Sequence, residues 1–156
     1  MGGELKKDES VTERIVLLKT VEELLADPNY SVSRIDSGII LLAGGTGGRK
    51  ELAAQAIQKM TGYLYFEEIR HIMEVERLLY EIAVDKPVIV TIHANGIQDA
   101  MYRIRKLPVR SIFRRRFRVI IGVPDRFEHP EPVLYVLPDP FGKDDASSIN
   151  EPTTPP

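Results

Sequence analysis

The sequence predicts an α/β fold, with a mostly parallel sheet and helices on both faces. Three observations carry that expectation. Ile39-Ile40-Leu41-Leu42-Ala43 is a continuous apolar run of β-friendly residues, the pattern of a strand buried on both faces. Gly44, Gly45, Gly47 and Gly48 around Thr46 follow it at once, and good helix formers then run from Lys50 to Met60. The same strand-to-helix alternation recurs twice further along in coarser form, which is the signature of parallel crossover units.

In chain order, residues 1–10 are polar and read as loose. Ser10 and Glu13 have capping-box spacing ahead of an amphipathic stretch, so one or two helical segments are expected from Val11 to Ala26, stopped at Asp27-Pro28. Asn29 to Ser37 is a polar connector, and residues 1–36 together read as an N-terminal helical segment. The core is expected over 37–137. Beyond the first strand and helix, Tyr63 to Phe66 reads as a strand. His71 to Val84 follows as a helix with Ile72, Val75, Leu78, Leu79 and Ile82 on its apolar side. Pro87 to Ile92 is the next strand and Ile97 to Lys106 the next helix. Phe117 to Val123 and Val133 to Leu137 are further strands, and Pro124, Pro130 and Pro132 make the link between them too proline-rich for a tight hairpin. Residues 138–156, rich in Pro, Ser, Thr and Asp, read as a disordered tail.

Composition narrows the chemistry. The chain has 156 residues, a length that suits one domain, and 43% of them are hydrophobic. Without cysteine there is no disulfide framework, thiolate zinc site, iron–sulfur cluster or cysteine nucleophile. The net charge of −2 excludes a uniformly basic nucleic-acid binder. His71, His93 and His129 are too scattered to form a metal cage by spacing, and His71 and His129 read as surface residues. The charged N-terminus lacks the apolar core of a secretory signal and no apolar run approaches the length of a membrane span, so a cytoplasmic location is expected.

The glycine segment carries the chemistry. Gly44-Gly45-Thr46-Gly47-Gly48-Arg49-Lys50-Glu51 approximates the phosphate-binding pattern G-x-x-x-x-G-K-[ST], between a strand and a helix as that pattern requires. Backbone N–H groups of such a loop, with the helix N-terminus behind them, form an anion cradle, and Lys50 would add its charge to the terminal phosphates. Two positions depart from the pattern. Arg49 stands where a glycine usually precedes the lysine, and a side chain forced to positive φ there costs about 1–2 kcal/mol. Glu51 stands where a hydroxyl normally holds Mg²⁺, which sets a negative charge beside the phosphates. The alternative reading is a glycine turn that serves close strand–helix packing.

Three blocks together resemble the type II/IV secretion ATPases, the family of pilus and secretion-channel motors. SGIILLAGGTGGRKELAAQAI is similar to their first strand, phosphate loop and helix. YLYFEEIR is similar to their Walker B strand, and VIVTIHANGIQDAMYRIRKL to their histidine box. The separation between Glu68 and His93 is also similar, and the resemblance spans about 37 to 108. It implies a P-loop NTPase-like fold with a trimmed RecA-like core, and ATP with Mg²⁺ as cofactors. It also implies roles residue by residue: Lys50 on the β/γ-phosphates, Gly44 to Glu51 around them, and Glu68 as the acid that organises Mg²⁺ and water. His93 would sense the γ-phosphate region, and Arg70 completes the Glu-x-Arg of that box. The implied partners are further copies of the chain or subunits of a secretion or pilus machine.

The chain also departs from that family. Lys50 and Glu68 are eighteen residues apart, so the long insert and its acidic box are missing. Glu67 replaces a glycine, Met73 replaces a glutamate, and the large N-terminal domain is reduced to about 36 residues. These losses predict nucleotide binding with hydrolysis weak or lost. Without the family, Glu67 and Glu68 suit a helix start, His93 a hydrogen-bonded structural histidine, and Asn95 a helix cap.

One further feature is charge asymmetry. Arg103, Arg105, Lys106, Arg110, Arg114, Arg115, Arg116 and Arg118 have no acid among them, leaving 13 basic against 23 acidic residues elsewhere. Arg110, Arg114, Arg115, Arg116 and Arg118 are therefore expected to face a partner. A protein subunit fits a net-acidic chain better than nucleic acid does. Phe113 and Phe117, interleaved with them, are expected to anchor the segment to the core. The runner-up function is a non-catalytic assembly or regulatory module that docks through this run.

Overall fold

A computed structural model describes residues 11, 13–27, 32–46, 48–66, 68–71, 73–77, 86–125 and 131–142. Its elements are β1 (Val16–Leu18), α1 (Val21–Ala26), a 3-10 turn (Val32–Arg34), β2 (Gly38–Gly44), α2 (Arg49–Thr61), β3 (Leu64–Tyr65), β4 (Pro87–His93), α3 (Ile97–Arg105), α4 (Ser111–Arg114), β5 (Phe117–Gly122) and β6 (Leu134–Pro138). Residues 73–77 are helical as well. The six strands form one sheet in the order β1-β6-β5-β2-β4-β3. The pairs β5–β2, β2–β4 and β4–β3 are parallel, and β6 and β1 add antiparallel edges. The expected mixed α/β architecture with a mostly parallel sheet is therefore observed. Among the described residues, no helix is long and apolar enough to cross a membrane.

All seven residues of β2 are buried, as a continuous apolar run requires. Alternate side chains serve two separate cores. Ile39, Leu41 and Ala43 join Val88, Val90 and Ile92 of β4 against Ile97, Ala100, Met101 and Ile104 of α3. Those four α3 residues recur at i, i+3, i+4 and i+7, so they form one face of the helix. Ile40 and Leu42 join Ile89, Val119 and Ile121 against Ala53, Ala54 and Ile57 of α2. Burying a side chain such as Ile57 contributes about 2 kcal/mol. Val75 and Phe113 pack on the α3 side, while Leu24 and Val32 pack on the α2 side.

Two sequence expectations need correction. Val16–Leu18 is a strand, although its apolar spacing suits a helix. It pairs with Leu134–Val136 and closes the outer edge of β6. A cap then starts the helical segment at Val21: Thr20 Oγ1 accepts a hydrogen bond from the Glu23 amide at 3.0 Å, and Glu23 Oε1 accepts from the Lys19 amide at 2.7 Å. The N-terminal stretch also packs into the core, through Leu24 and Val32. At the other end, order continues past Pro138. Phe141 is 0% exposed, with its ring edge-on to Phe117 at 5.9 Å and the Arg105 guanidinium 5.6 Å from its centre. Arg14 Nη2 also donates to the carbonyls of Pro138 and Asp139, at 3.0 and 2.9 Å. Ser10, Ile72, Leu78, Leu79, Ile82, His129 and residues 143–156 lie outside the described residues.

Phe141→Ala removes a fully enclosed ring and is expected to cost about 3–5 kcal/mol of stability. A urea titration of the variant against the intact chain measures it, and an unchanged midpoint would remove Phe141 from the core.

Candidate functional site

The parallel strands β2, β4 and β5 end at one edge of the sheet. Register sets Gly44 beside His93 and Ala43 beside Gly122, so the glycine loop, the His93–Gly96 turn and the Pro124–Asp125 segment meet there. Ligands of open α/β sheets bind at this carboxyl edge, in the crevice between neighbouring strands whose outgoing connections run to opposite sides. Here these are β2, from which the chain continues to β3, and β4, from which it continues to β5 on the other side of β2.

Gly44 is pinched between its neighbours. Its carbonyl accepts from the Ala94 amide at 3.1 Å, and a Cβ added to it would lie 2.7 Å from the Val123 carbonyl oxygen. Gly48 then takes the left-handed conformation, φ 85°, as the N-cap of α2, and as glycine it gives that helix no side-chain cap. Arg49 is the first residue of α2, and among the described residues Asp139 is the only non-glycine with positive φ. The strain expected at Arg49 is thus absent, because Gly48 makes the turn one position earlier. Arg49 Nη1 reaches the Pro124 carbonyl at 3.4 Å. Thr46 is exposed, and Gly47 lies outside the described residues.

Lys50 does not extend into solvent. It is 3% exposed, and its Nζ donates to the Gly45 carbonyl at 2.9 Å and pairs with Glu51 Oε2 at 3.1 Å. The charge expected to meet a phosphate is folded back under the loop and held by the neighbouring carboxylate. Across the loop, Asp125 Oδ2 lies 3.5 Å from the position of a Cβ built on Gly45. Asp125 was not legible as a site residue, although its place just after a strand at this edge is the available signal.

His93 ends β4 and is exposed. In the turn that follows, the Asn95 amide donates to Asp99 Oδ2 at 2.8 Å, and Arg103 Nε donates to the same oxygen at 3.1 Å. The Asn95 amide holds the Asp99 carboxyl below its ordinary range, Arg103 and His93 add to that effect, and partial burial opposes it. The N-cap of α3 is Gly96, with no side-chain cap, so Asn95 serves the helix through its backbone N–H. Beside the loop, Gly44, Asn95, Gly96, Gly122, Pro124 and Tyr135 help to line an open cleft of about 420 Å³.

Glu68 is half-buried beyond β3, whose pairing to β4 continues through Phe66 N to the Ile89 carbonyl and Ile69 N to the Thr91 carbonyl, both 2.8 Å. Because β4 lies between β3 and β2, Glu68 follows a strand about 10 Å from the glycine-loop strand. Arg70 is exposed and its amide donates to Glu74 Oε1 at 2.6 Å, while Glu67 lies outside the described residues. Among the described residues, no three His, Asp or Glu side chains are grouped to hold a metal ion. Glu51, which stands where the pattern has a hydroxyl, is engaged with Lys50.

Arg116 and Arg118 of the arginine run lie at the opposite edge of the sheet. The Arg116 carbonyl accepts from the Ile39 amide, and Arg118 Nε donates to the Ser37 carbonyl at 3.1 Å, both where β2 begins. Arg110, Arg115 and Arg118 are exposed and Arg116 is half-buried. Arg114 does not share that surface: it is 8% exposed and its Nη1 donates to the Val109 carbonyl at 3.3 Å. Phe113 and Phe117 are buried edge-to-face at 5.6 Å, so they anchor the segment as expected. No protein-family model matches the chain, and no curated protein matches it.

Gly44→Ala drives a methyl into the Val123 carbonyl and is expected to cost about 1–3 kcal/mol. Gly48→Ala has open space and only the left-handed backbone to strain, for about 1–2 kcal/mol. Denaturant melts, with spectra recorded in the native baseline, separate packing disruption in the first from a purely energetic loss in the second. Asp99 gives a pH prediction. Its folded-state titration lies below the ordinary value near 4, so its contribution is present above that pH and drains away as pH falls through the folded value. Asp99→Asn is expected to cost about 1 kcal/mol at pH 7 and progressively less below pH 4, read from urea midpoints across that range.

Proposed function

We propose that this chain is an ATP-binding P-loop domain related to the secretion and type IV pilus motor ATPases, with hydrolysis weak or lost. One observation carries the reading. The chain leaves the buried central strand at its carboxyl end, turns at a left-handed Gly48, and enters an uncapped thirteen-residue helix with Lys50 turned into the loop. Uncapped first-turn amides and the helix dipole favour an anion, and Lys50 is the cation within reach of it. Gly44 to Glu51 would hold the phosphates, with Gly44 keeping β5 close behind the loop. His93 stands beside Gly44 in register, where it could contact the outer phosphate.

The proposal of weak or lost hydrolysis follows from the groups that would position metal and water. Phosphoryl transfer depends on charge neutralisation and alignment, and absent positioning groups commonly reduce rate by orders of magnitude. Glu68 would be the carboxylate that organises Mg²⁺, and Mg²⁺ bound with the nucleotide would supply charge neutralisation there. A second reading is favoured by the exposed Arg110, Arg115 and Arg118 at the far edge. It is a non-catalytic assembly or regulatory module that docks on an acidic protein surface: another copy of the chain or a subunit of a secretion or pilus machine. Nucleic acid is the weaker match to a chain of net charge −2.

Calorimetric titration with ATP and Mg²⁺ tests the first reading. The intact chain is expected to bind with a dissociation constant of about 0.1–1 mM, and Lys50→Ala to weaken that at least tenfold. Phosphate release over hours is expected to stay at background. No heat up to several millimolar ATP would overturn nucleotide binding and leave the docking reading in place.

A further inference from the structure

The geometry points to Glu51 as a built-in competitor for the phosphate: its carboxylate occupies the Lys50 ammonium and so sets how weakly the cradle takes a phosphorylated ligand. The inference rests on the phosphate reading of the glycine loop. It concerns what already fills the charge demand of that loop.

Lys50 is almost wholly buried, and a buried ammonium needs acceptors for its three donors. The Gly45 carbonyl supplies one acceptor at 2.9 Å, and Glu51 Oε2 supplies the charged one at 3.1 Å. Neighbouring helix positions do not ordinarily face each other. They meet here because Lys50 swings back beneath the loop towards Gly45 while Glu51 stays in the first turn of α2. Glu51 is held there by two attractions at once, the Lys50 charge and the positive end of the helix dipole. A phosphate reaching Nζ must displace a carboxylate fixed in place by covalent neighbourhood, which is competition at very high effective concentration. The electrostatics agree. An uncapped helix start with a free lysine presents roughly +1.5 charges, and Glu51 reduces that to roughly +0.5. A hydroxyl at the same position would leave Lys50 unneutralised.

Glu51 is 37% exposed, so its carboxylate lies on the solvent side of the pair and can swing away without disturbing the core. The loop therefore has two arrangements: Lys50 on Glu51, or Lys50 on a bound phosphate with Glu51 turned out. The ligand is a phosphate group, carried either by a nucleotide or by free inorganic phosphate.

The experiment compares the intact chain with Glu51→Gln, which keeps size and removes charge. Titrations use ATP with Mg²⁺, ADP, and inorganic phosphate alone. Glu51→Gln is expected to bind at least tenfold more tightly, or to bind where the wild type does not. The gain should vanish in the Lys50→Ala/Glu51→Gln double variant, because it runs through the ammonium. Glu22→Gln, the same charge change on α1, should leave affinity unchanged. A gain for ATP and ADP without one for inorganic phosphate identifies a nucleotide ligand, and an equal gain for all three identifies the phosphate group alone. Equal binding by wild type and Glu51→Gln would overturn the competition while leaving the cradle standing. So would a gain that survives Lys50→Ala. No binding by either chain at millimolar ligand would overturn the cradle, and the competition with it. Circular dichroism confirms that each variant is folded, so a lost signal is not read from a collapsed chain.

Discussion

Everything in this molecule is arranged around one strand that cannot touch water on either face. Seven consecutive buried residues of β2 demand apolar cover above and below, and strand partners on both sides. α2 and α3 answer the first demand from opposite faces, while β4 and β5 answer the second. The polar groups are then left to the two ends of the strand. At the carboxyl end the backbone turns through the glycine loop. At the amino end Arg116 and Arg118 bond to the chain where β2 begins.

That division keeps two chemistries apart. The loop end holds a cation already answered by its own neighbour, with Asp125 close by and the Asp99–Arg103 pair at the next turn. The far end presents arginines on a segment held to the core by the edge-to-face rings of Phe113, Phe117 and Phe141. A small anion at one end and a protein surface at the other would not compete for space. Each could be occupied while the other is.

Most of the central layer was legible because its physics is local. A continuous apolar run, a glycine cluster and a helix with apolar residues on one face each declare themselves within a few residues, as β2, the loop and α3 did. β1 did not. Val16, Leu17 and Leu18 carry no preference strong enough to choose strand over helix, and the open edge of β6, more than a hundred residues away, decides for them. Phe141 was hidden in the same way, since a proline- and aspartate-rich context gives no hint of an enclosed slot between Phe117 and Arg105. Within the site, the glycine pattern and Lys50 could be read directly. The conformation of Lys50 could not, because it depends on the Gly45 carbonyl lying behind it. Asp125 arrives from the end of β5 through a register that no local pattern reports.

The pairing of Val16 with Val136 also bears on how the chain is made. A ribosome delivers residues in order, and β1 emerges long before β6, the strand it pairs with. The parallel centre β3-β4-β2 can assemble while synthesis continues, but the β1 edge must wait until β6 has left the tunnel. Until then the backbone N–H and C=O groups of Val16 to Leu18 lack their strand partner, and a chaperone that holds extended segments has a defined interval in which to act.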